Sequence, residues 1–199
     1  MRCPRCVQQI HRAAAGCPHC GFTLADADSR YGVDAVHRMR RLTDSAGLFR
    51  RHERKRIEAV LDRFGRRFPQ LFAAVYTGSS GGGTHLREFG FWLLNHASFE
   101  DLPEERTNAA GILLVLDPAA KAASISFGYL LDPYLDQDDT FDCLARAHAW
   151  WLEGRNTEGV VRVLAQLERV LRRRSRQARR DPDRFGRKVR SPIREEVRR

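Results

Sequence analysis

"GILLVLDPAAKAASISFGY" (Gly111–Tyr129) decides how this chain folds. It opens with an unbroken apolar run, Gly111 to Leu116, far too short to cross a bilayer. Such a run marks a strand covered on both faces, since every side chain, and not every second one, has to leave water. "DPAAKA" (Asp117–Ala122) then supplies turn chemistry, and "ASISFGY" (Ala123–Tyr129) alternates apolar with small polar residues. The second half therefore reads as a hairpin or neighbour partner of the first. A strand buried on both faces needs a layer above it and another below.

The flanking segments supply those layers. Within Arg51–Phe68 the apolar residues Ile57, Val60, Leu61, Phe64 and Phe68 fall on one helical face, and Pro69 stops the helix. Asp44 and Ser45 read as cap residues ahead of it. "LFAAVYT" (Leu71–Thr77) is a second β-rich run. After a glycine-rich loop, Thr84–Asn95 sets Leu86, Phe89 and Leu93 on one face with Gly90 beside it. "FEDLPEERTN" (Phe99–Asn108) reads as a polar loop. Two helices close the body. Asp142–Leu152 is expected to bury Leu144, Ala145, His148 and Trp151, with Cys143 a small core residue. Glu158–Leu171 is expected to bury Val160, Val163, Leu164, Leu167, Val170 and Leu171. The order α-β-α-β-β-α-α predicts an α/β fold, a three-layer α/β/α sandwich with a small mixed sheet over residues 42–171.

Two CPxC turns precede this body, Cys3-Pro4-Arg5-Cys6 and Cys17-Pro18-His19-Cys20, with Gly21 after the second. Each tight turn presents two thiolates on one side of a knuckle, so the pair offers the four soft ligands of a tetrahedral zinc site. Cys3, Cys6, Cys17 and Cys20 are the expected ligands of a structural Zn2+, and residues 1–22 form a small zinc ribbon. A full shell of four thiolates leaves no open position for substrate, and His11 and His19 are then expected to face solvent. Residues 23–41 read as a linker, "ADADSRYG" turn-like and "VDAVHRMRRL" a short helix.

Charge is uneven along the chain. The formal net charge is +10 over 199 residues, yet Arg172–Arg199 holds thirteen Lys/Arg against four Asp/Glu. The body is near neutral, and the basic character belongs to residues 172–199. That tail is expected to extend the last helix, break at Asp181-Pro182 and then lose order for want of apolar residues. It offers a contact for a polyanion through counterion release. No segment has the length of a membrane span, and the N-terminus opens on cysteines and arginines, so a cytoplasmic location is expected.

Several of these pieces together resemble the TPM domain family, shared by a thylakoid lumen protein, a photosystem repair factor and a receptor-modulating protein. The resemblance begins at "LTDSAGLFRRHERKRIEAVL" (Leu42–Leu61), where Asp44, Gly47 and Leu48 hold the family's opening positions. It continues through "AAVYTGSSGGGTHLREFGFWLLN" and is strongest in "NAAGILLVLDPAAKAASISFGYLLDPYLD", where Gly111 and Gly128-Tyr129 keep their places. The resemblance implies an α/β/α sandwich, an acid phosphatase activity reported for some members, and calcium binding in others. This chain departs from the pattern at Ala109, Ala110, Leu130, Leu131 and Asp132, where polar groups and a flexible glycine are lost. A binding or scaffold role, with another protein as partner, therefore stands first. A weak metal-assisted phosphomonoesterase stands second, and non-specific nucleic-acid binding through ribbon and tail third.

The candidate residues follow from those readings. Asp117 and Asp132 stand at strand ends, where α/β sheets place their sites, and with Asp136 they form the candidate acid chemistry. Asp132, Asp136 and Asp138 are the candidate ligands of a second metal, Ca2+ or Mg2+, although Asp138, Asp139 and Thr140 also read as caps of the next helix. The loop "TGSSGGGT" (Thr77–Thr84) has the two glycines of a nucleotide loop but no lysine after them. It reads first as a hinge, and otherwise as a weak anion cradle of Gly81, Gly82, Gly83 and Thr84 at a helix N-terminus.

Overall fold

The computed structural model describes residues 2–11, 14–32, 37–80, 85–103, 107–182 and 185. In chain order it contains α1 (Leu24–Tyr31), β1 (His37–Met39), β2 (Leu42–Asp44), α2 (Arg51–Arg67), β3 (Phe72–Thr77), α3 (Leu86–His96), β4 (Ala97–Phe99), β5 (Gly111–Asp117), β6 (Ala122–Phe127), α4 (Gln137–Leu152) and α5 (Asn156–Arg180). The deciding stretch forms the β5–β6 hairpin, and every residue of β5 is buried.

The main sheet has the order β2-β3-β5-β6. β2, β3 and β5 run parallel, and β6 returns antiparallel along β5, so the sheet is mixed as expected. Side chains alternate between its faces. Ile112, Leu114 and Leu116 join Ile57, Leu61 and Phe64 of α2 and Val163, Leu164 and Leu167 of α5 in one core. Leu113 and Val115 point the other way, onto Phe89, Trp92, Leu93 and Leu94 of α3. All six apolar residues expected to bury along the last helix do so. Full burial of each such side chain contributes about 1.5–3 kcal/mol, enough to fix α5 against α2 and the sheet.

Beyond α3 the second core continues outward. It takes in Cys3, Cys17 and Phe22 from the N-terminal knuckles and Ala27 from α1. The ribbon and α1 thus lie over α3 as a further layer. Residues 23–41 are not a bare connector. Thr23 caps α1 by accepting from the Asp26 amide (3.2 Å), while its own amide donates to the Asp26 carboxylate (2.8 Å). The expected short helix over "VDAVHRMRRL" (33–42) is not formed by the part that is described. His37–Met39 instead pairs with Ala97–Phe99 as a two-stranded parallel sheet, and the amide of Glu100 donates to the Met39 carbonyl.

Two further expectations are corrected. Asp44 and Ser45 do not cap α2. The helix begins at Arg51, and Glu53 accepts from the Arg50 amide (2.8 Å). The buried face of α4 is Asp139, Thr140, Cys143 and Ala147, while Ala145 and His148 are exposed. Cys143 and Ala147 join the core that α5, α2 and the sheet share, and apolarity alone does not choose between the faces of α4. The basic segment extends the last helix as expected: α5 runs unbroken to Arg180 and ends at Asp181, its C-cap. No helix among the described residues is long and apolar enough to cross a membrane.

Candidate functional site

The clearest chemistry is at the N-terminus. The sulfurs of Cys3, Cys6, Cys17 and Cys20 all lie within 4.8 Å of one another, the only such group of metal-ligating side chains among the described residues. The two knuckles are near copies. The amide of Val7 donates to the Cys3 carbonyl (3.0 Å), and that of Gly21 to the Cys17 carbonyl (2.9 Å). Both residues after the second cysteine sit at positive φ, Val7 at 66° and Gly21 at 71°. Glycine adopts this freely, whereas a β-branched valine does so at a cost.

The knuckles also prepare the sulfurs for a cation. Burial works against ionising Cys17, but the backbone amides of His19 and Cys20 outweigh it and pull that thiol down to about 6. Cys3, more affected by its burial, is pushed up to about 12 despite amides from Cys6 and Arg5. A cluster with amide donors aimed at sulfur suits thiolates, and a bound cation would remove the mutual repulsion that four thiolates create. The residues present therefore fit a metal ion held by four thiolates. His11 and His19 are exposed, as expected.

This site is tied to the body by one carboxylate that the sequence reading missed. Glu88 on α3 is 0% exposed and accepts from Arg5 Nε (2.9 Å), between the first two cysteines, and from Arg30 of α1 (3.1 Å). The Arg5 guanidinium also lies over the Phe22 ring, 4.8 Å from its centre. Arg87, the preceding residue, donates through Nε to the Pro4 carbonyl (3.0 Å). On the next turns of α3, Trp92 donates to Asp28 (3.1 Å), which His96 also contacts (3.1 Å).

The body's aspartates divide into two groups. Asp117 ends β5 at the carboxyl edge of the parallel strands. It is buried and accepts from the Ser80 amide and hydroxyl (2.8 Å each) and from the Ala120 amide (3.0 Å). Burial opposes its charge, but these donors prevail and hold it below the usual carboxylate range. Asp44, at the same edge, accepts from Thr77 (2.5 Å), Leu48 (2.8 Å) and Phe49 (3.1 Å) and pairs with Arg54 (2.9 Å). It too lies below its ordinary range, burial again being outweighed by those donors. Both carboxylates close loops around their own strand ends.

Asp132 and Asp136 do not join Asp117. In the hairpin Asp117 lies opposite Ala122, and Phe127 opposite Ile112. β6 therefore delivers the chain to the other end of β5, about 17 Å away over five residues. The helix contacts agree. The first turns of α5 meet the start of α2 through Thr157–Glu53 and Arg56–Glu158. Its last turns meet the start of α4, where Arg174 reaches Asp136 (3.2 Å) and Asp139 (3.0 Å), and Arg173 reaches Asp139 (3.4 Å). Asp136 is the N-cap of α4, accepting from the Asp139 amide (2.8 Å). Asp138 is exposed in the first turn, and Asp132, Asp136 and Asp138 do not form a group at metal-ligand spacing. The candidate aspartates are thus split between the two sheet edges, because the second strand of the hairpin runs backwards.

The remaining candidates are quickly placed. Gly81, Gly82, Gly83 and Thr84 lie outside the described residues. Cys143 is fully buried, and burial pushes its thiol up to about 12, so it is a protonated core residue. His85 precedes α3, and His96 stacks on Trp92 with ring centres 5.0 Å apart. A small cleft of about 230 Å3 is lined by Arg41, Leu61, Asp62, Phe72 and Asp101. Arg41 already pairs there with Asp62 (2.9 Å) and Asp101 (3.0 Å).

Comparison with known proteins shows the fold. No family model matches the chain, and no curated protein matches it. Among solved structures, the N-terminal domain of a protein from P. gingivalis, determined by solution NMR, is similar at a TM-score of 0.53 and 24% identity. The match covers 66% of this chain and 82% of that one.

Proposed function

We propose that this chain is a zinc-ribbon protein with a TPM-like body, and that it acts as a non-catalytic binding or scaffold module in protein assembly or maintenance. The metal assigned to the four thiolates is zinc, which takes a tetrahedral shell of soft ligands and needs no redox partner. Its role is structural, holding together knuckles too small to build a core of their own. The TPM assignment draws on the motif order across residues 42–171 and on the α/β/α architecture.

One observation carries the non-catalytic reading. The carboxylate best placed for chemistry, Asp117, has its oxygens occupied by Ser80 and Ala120, and the aspartates named with it lie at the opposite sheet edge. Metal-assisted phosphoryl chemistry needs carboxylates that converge on one ion with free lone pairs. The test pairs metal analysis with an aryl phosphate assay on the purified full chain. We expect one equivalent of zinc and no turnover with added Mg2+, Ca2+ or Mn2+. Turnover that Asp117→Asn or Asp132→Asn abolishes would establish the phosphatase alternative instead. Purified chain without zinc would remove the ribbon from the proposal.

A further inference from the structure

We propose that the last turns of α5 form a sequence-independent binding face for nucleic acid, recognising its phosphate backbone. At 100° per residue, Arg172, Arg173, Arg176, Arg179 and Arg180 fall within an arc of about 120°, and all five are exposed. The opposite side carries Leu171, Arg174, Ser175 and Ala178, which are buried or half-buried. The stripe is therefore held at a fixed orientation by the body. Arg174 helps to hold it there, through its ion pairs to Asp136 and Asp139.

Neutralisation of the stripe is incomplete. Arg173 pairs with Asp139 at 3.4 Å, and Arg172 lies 4.0 Å from Glu168. Among the described residues Arg176, Arg179 and Arg180 have no acidic partner. Three neighbouring guanidiniums without counter-charges among the described residues, on turns some 5–6 Å apart, match a linear array of phosphates. Arginine binds such groups in a fork and is weakly hydrated, so it gives up its water readily.

The chemistry favours nucleic acid over an anionic membrane. A membrane-surface helix needs a free apolar face to insert, and here Leu167, Val170 and Leu171 are already buried in the core. The stripe has no aromatic residue on which a base could stack, so binding reads backbone charge and not sequence. This inference does not depend on the ribbon or on the scaffold reading.

Salt-dependent binding of the full chain to a mixed-sequence DNA duplex and to a single-stranded oligonucleotide tests it, with phosphatidylserine vesicles as the competing surface. Each phosphate neutralised on duplex DNA contributes about −0.9 to the slope of log affinity against log salt. Substitution of Arg176, Arg179 and Arg180 by Gln should therefore make the slope shallower by about 2 to 3 units, with circular dichroism unchanged. Substitution of the same three by Lys should restore most of it. An unchanged slope in the Gln variant would overturn the assignment of these residues. Tighter binding to vesicles than to either nucleic acid, or no nucleic-acid binding at low salt, would overturn the ligand class.

Discussion

Removing Arg5 should destabilise the body, although Arg5 belongs to the first cysteine knuckle. Glu88 is 0% exposed, and its two partners, Arg5 and Arg30, are 24% and 41% exposed. Breaking a fully buried ion pair from one side costs about 3–5 kcal/mol, mostly from the charge left behind. Arg30 still reaches Glu88 in Arg5→Ala, and Arg5 itself is partly screened by solvent, so about 2 kcal/mol is the reasonable share. Loss of the guanidinium from the Phe22 ring adds about 0.5–1 kcal/mol. The sum is about 2.5–3 kcal/mol. For a chain of this size it corresponds to a fall in Tm of about 5–12 °C. Thermal unfolding followed by near-ultraviolet circular dichroism reads this out, because Trp92, on the same helix as Glu88, packs beside Phe89, His96 and Tyr31 of α1. The control is Glu88→Gln combined with Arg5→Ala. It strands no buried charge, since Arg30 is 41% exposed, and should cost less than the sum of the two single variants. A Tm unchanged within about 1 °C in Arg5→Ala would refute the claim that Glu88 couples ribbon to body.

Other outcomes follow from single features. Replacing Cys17 by Ser should shift the whole unfolding curve to lower temperature as one transition, whereas a separate low-temperature step would show that the ribbon folds apart from α3. Gly21→Val should weaken metal retention against a chelator, since it puts a β-branched residue at φ 71°. Val7→Gly, at φ 66°, should retain the metal as well as the wild type or better. Asp44 and Asp117 have folded-state values below their ordinary ones. Their stabilisation is thus full above the ordinary carboxylate range and is lost as pH falls through it to the lower folded values. Asp117→Asn should lower Tm at neutral pH and narrow the gap to the wild type in acid. Gly128→Ala should give little folded protein, because the added carbon would meet the backbone carbonyl of Ala109, which has no side-chain freedom to yield.

Much of the architecture was legible because single residues speak unambiguously at their positions. The run from Ile112 to Leu116 has no polar residue to face water, so both covering layers follow from it. The six apolar positions of α5 keep strict helical spacing, and Asp181-Pro182 ends the helix where its lost amide and ring clash require. The four cysteines announce themselves by spacing alone. α4 misled because both its sides are apolar: Phe141 and Leu152 are 71% and 73% exposed, while Cys143 and Ala147 are buried. Packing against α5 decides there, and that partner cannot be read from α4 itself. α1 was readable in principle, since Thr23 and Asp26 form a capping pair and Gly32 follows the last turn.

The split of the aspartates has a simpler source, and it bears on how far the body can support catalysis. A hairpin reverses direction, so residues after its second strand lie at the amino edge of the parallel strands. Asp132 was readable as remote from Asp117 once "ASISFGY" was taken as a hairpin partner. What no spacing reveals is which edge retains polar groups with spare capacity. At the carboxyl edge Asp44 and Asp117 are engaged by Thr77, Ser80 and backbone amides. At the other edge Asp136 and Asp139 are engaged by Arg174 of α5. The same contacts that occupy those acids orient the arginine stripe that follows them. The chain thus uses its buried carboxylates to hold surfaces in place: Glu88 holds the knuckles on one face of the sheet, and Asp139 holds the basic end of α5 on the other.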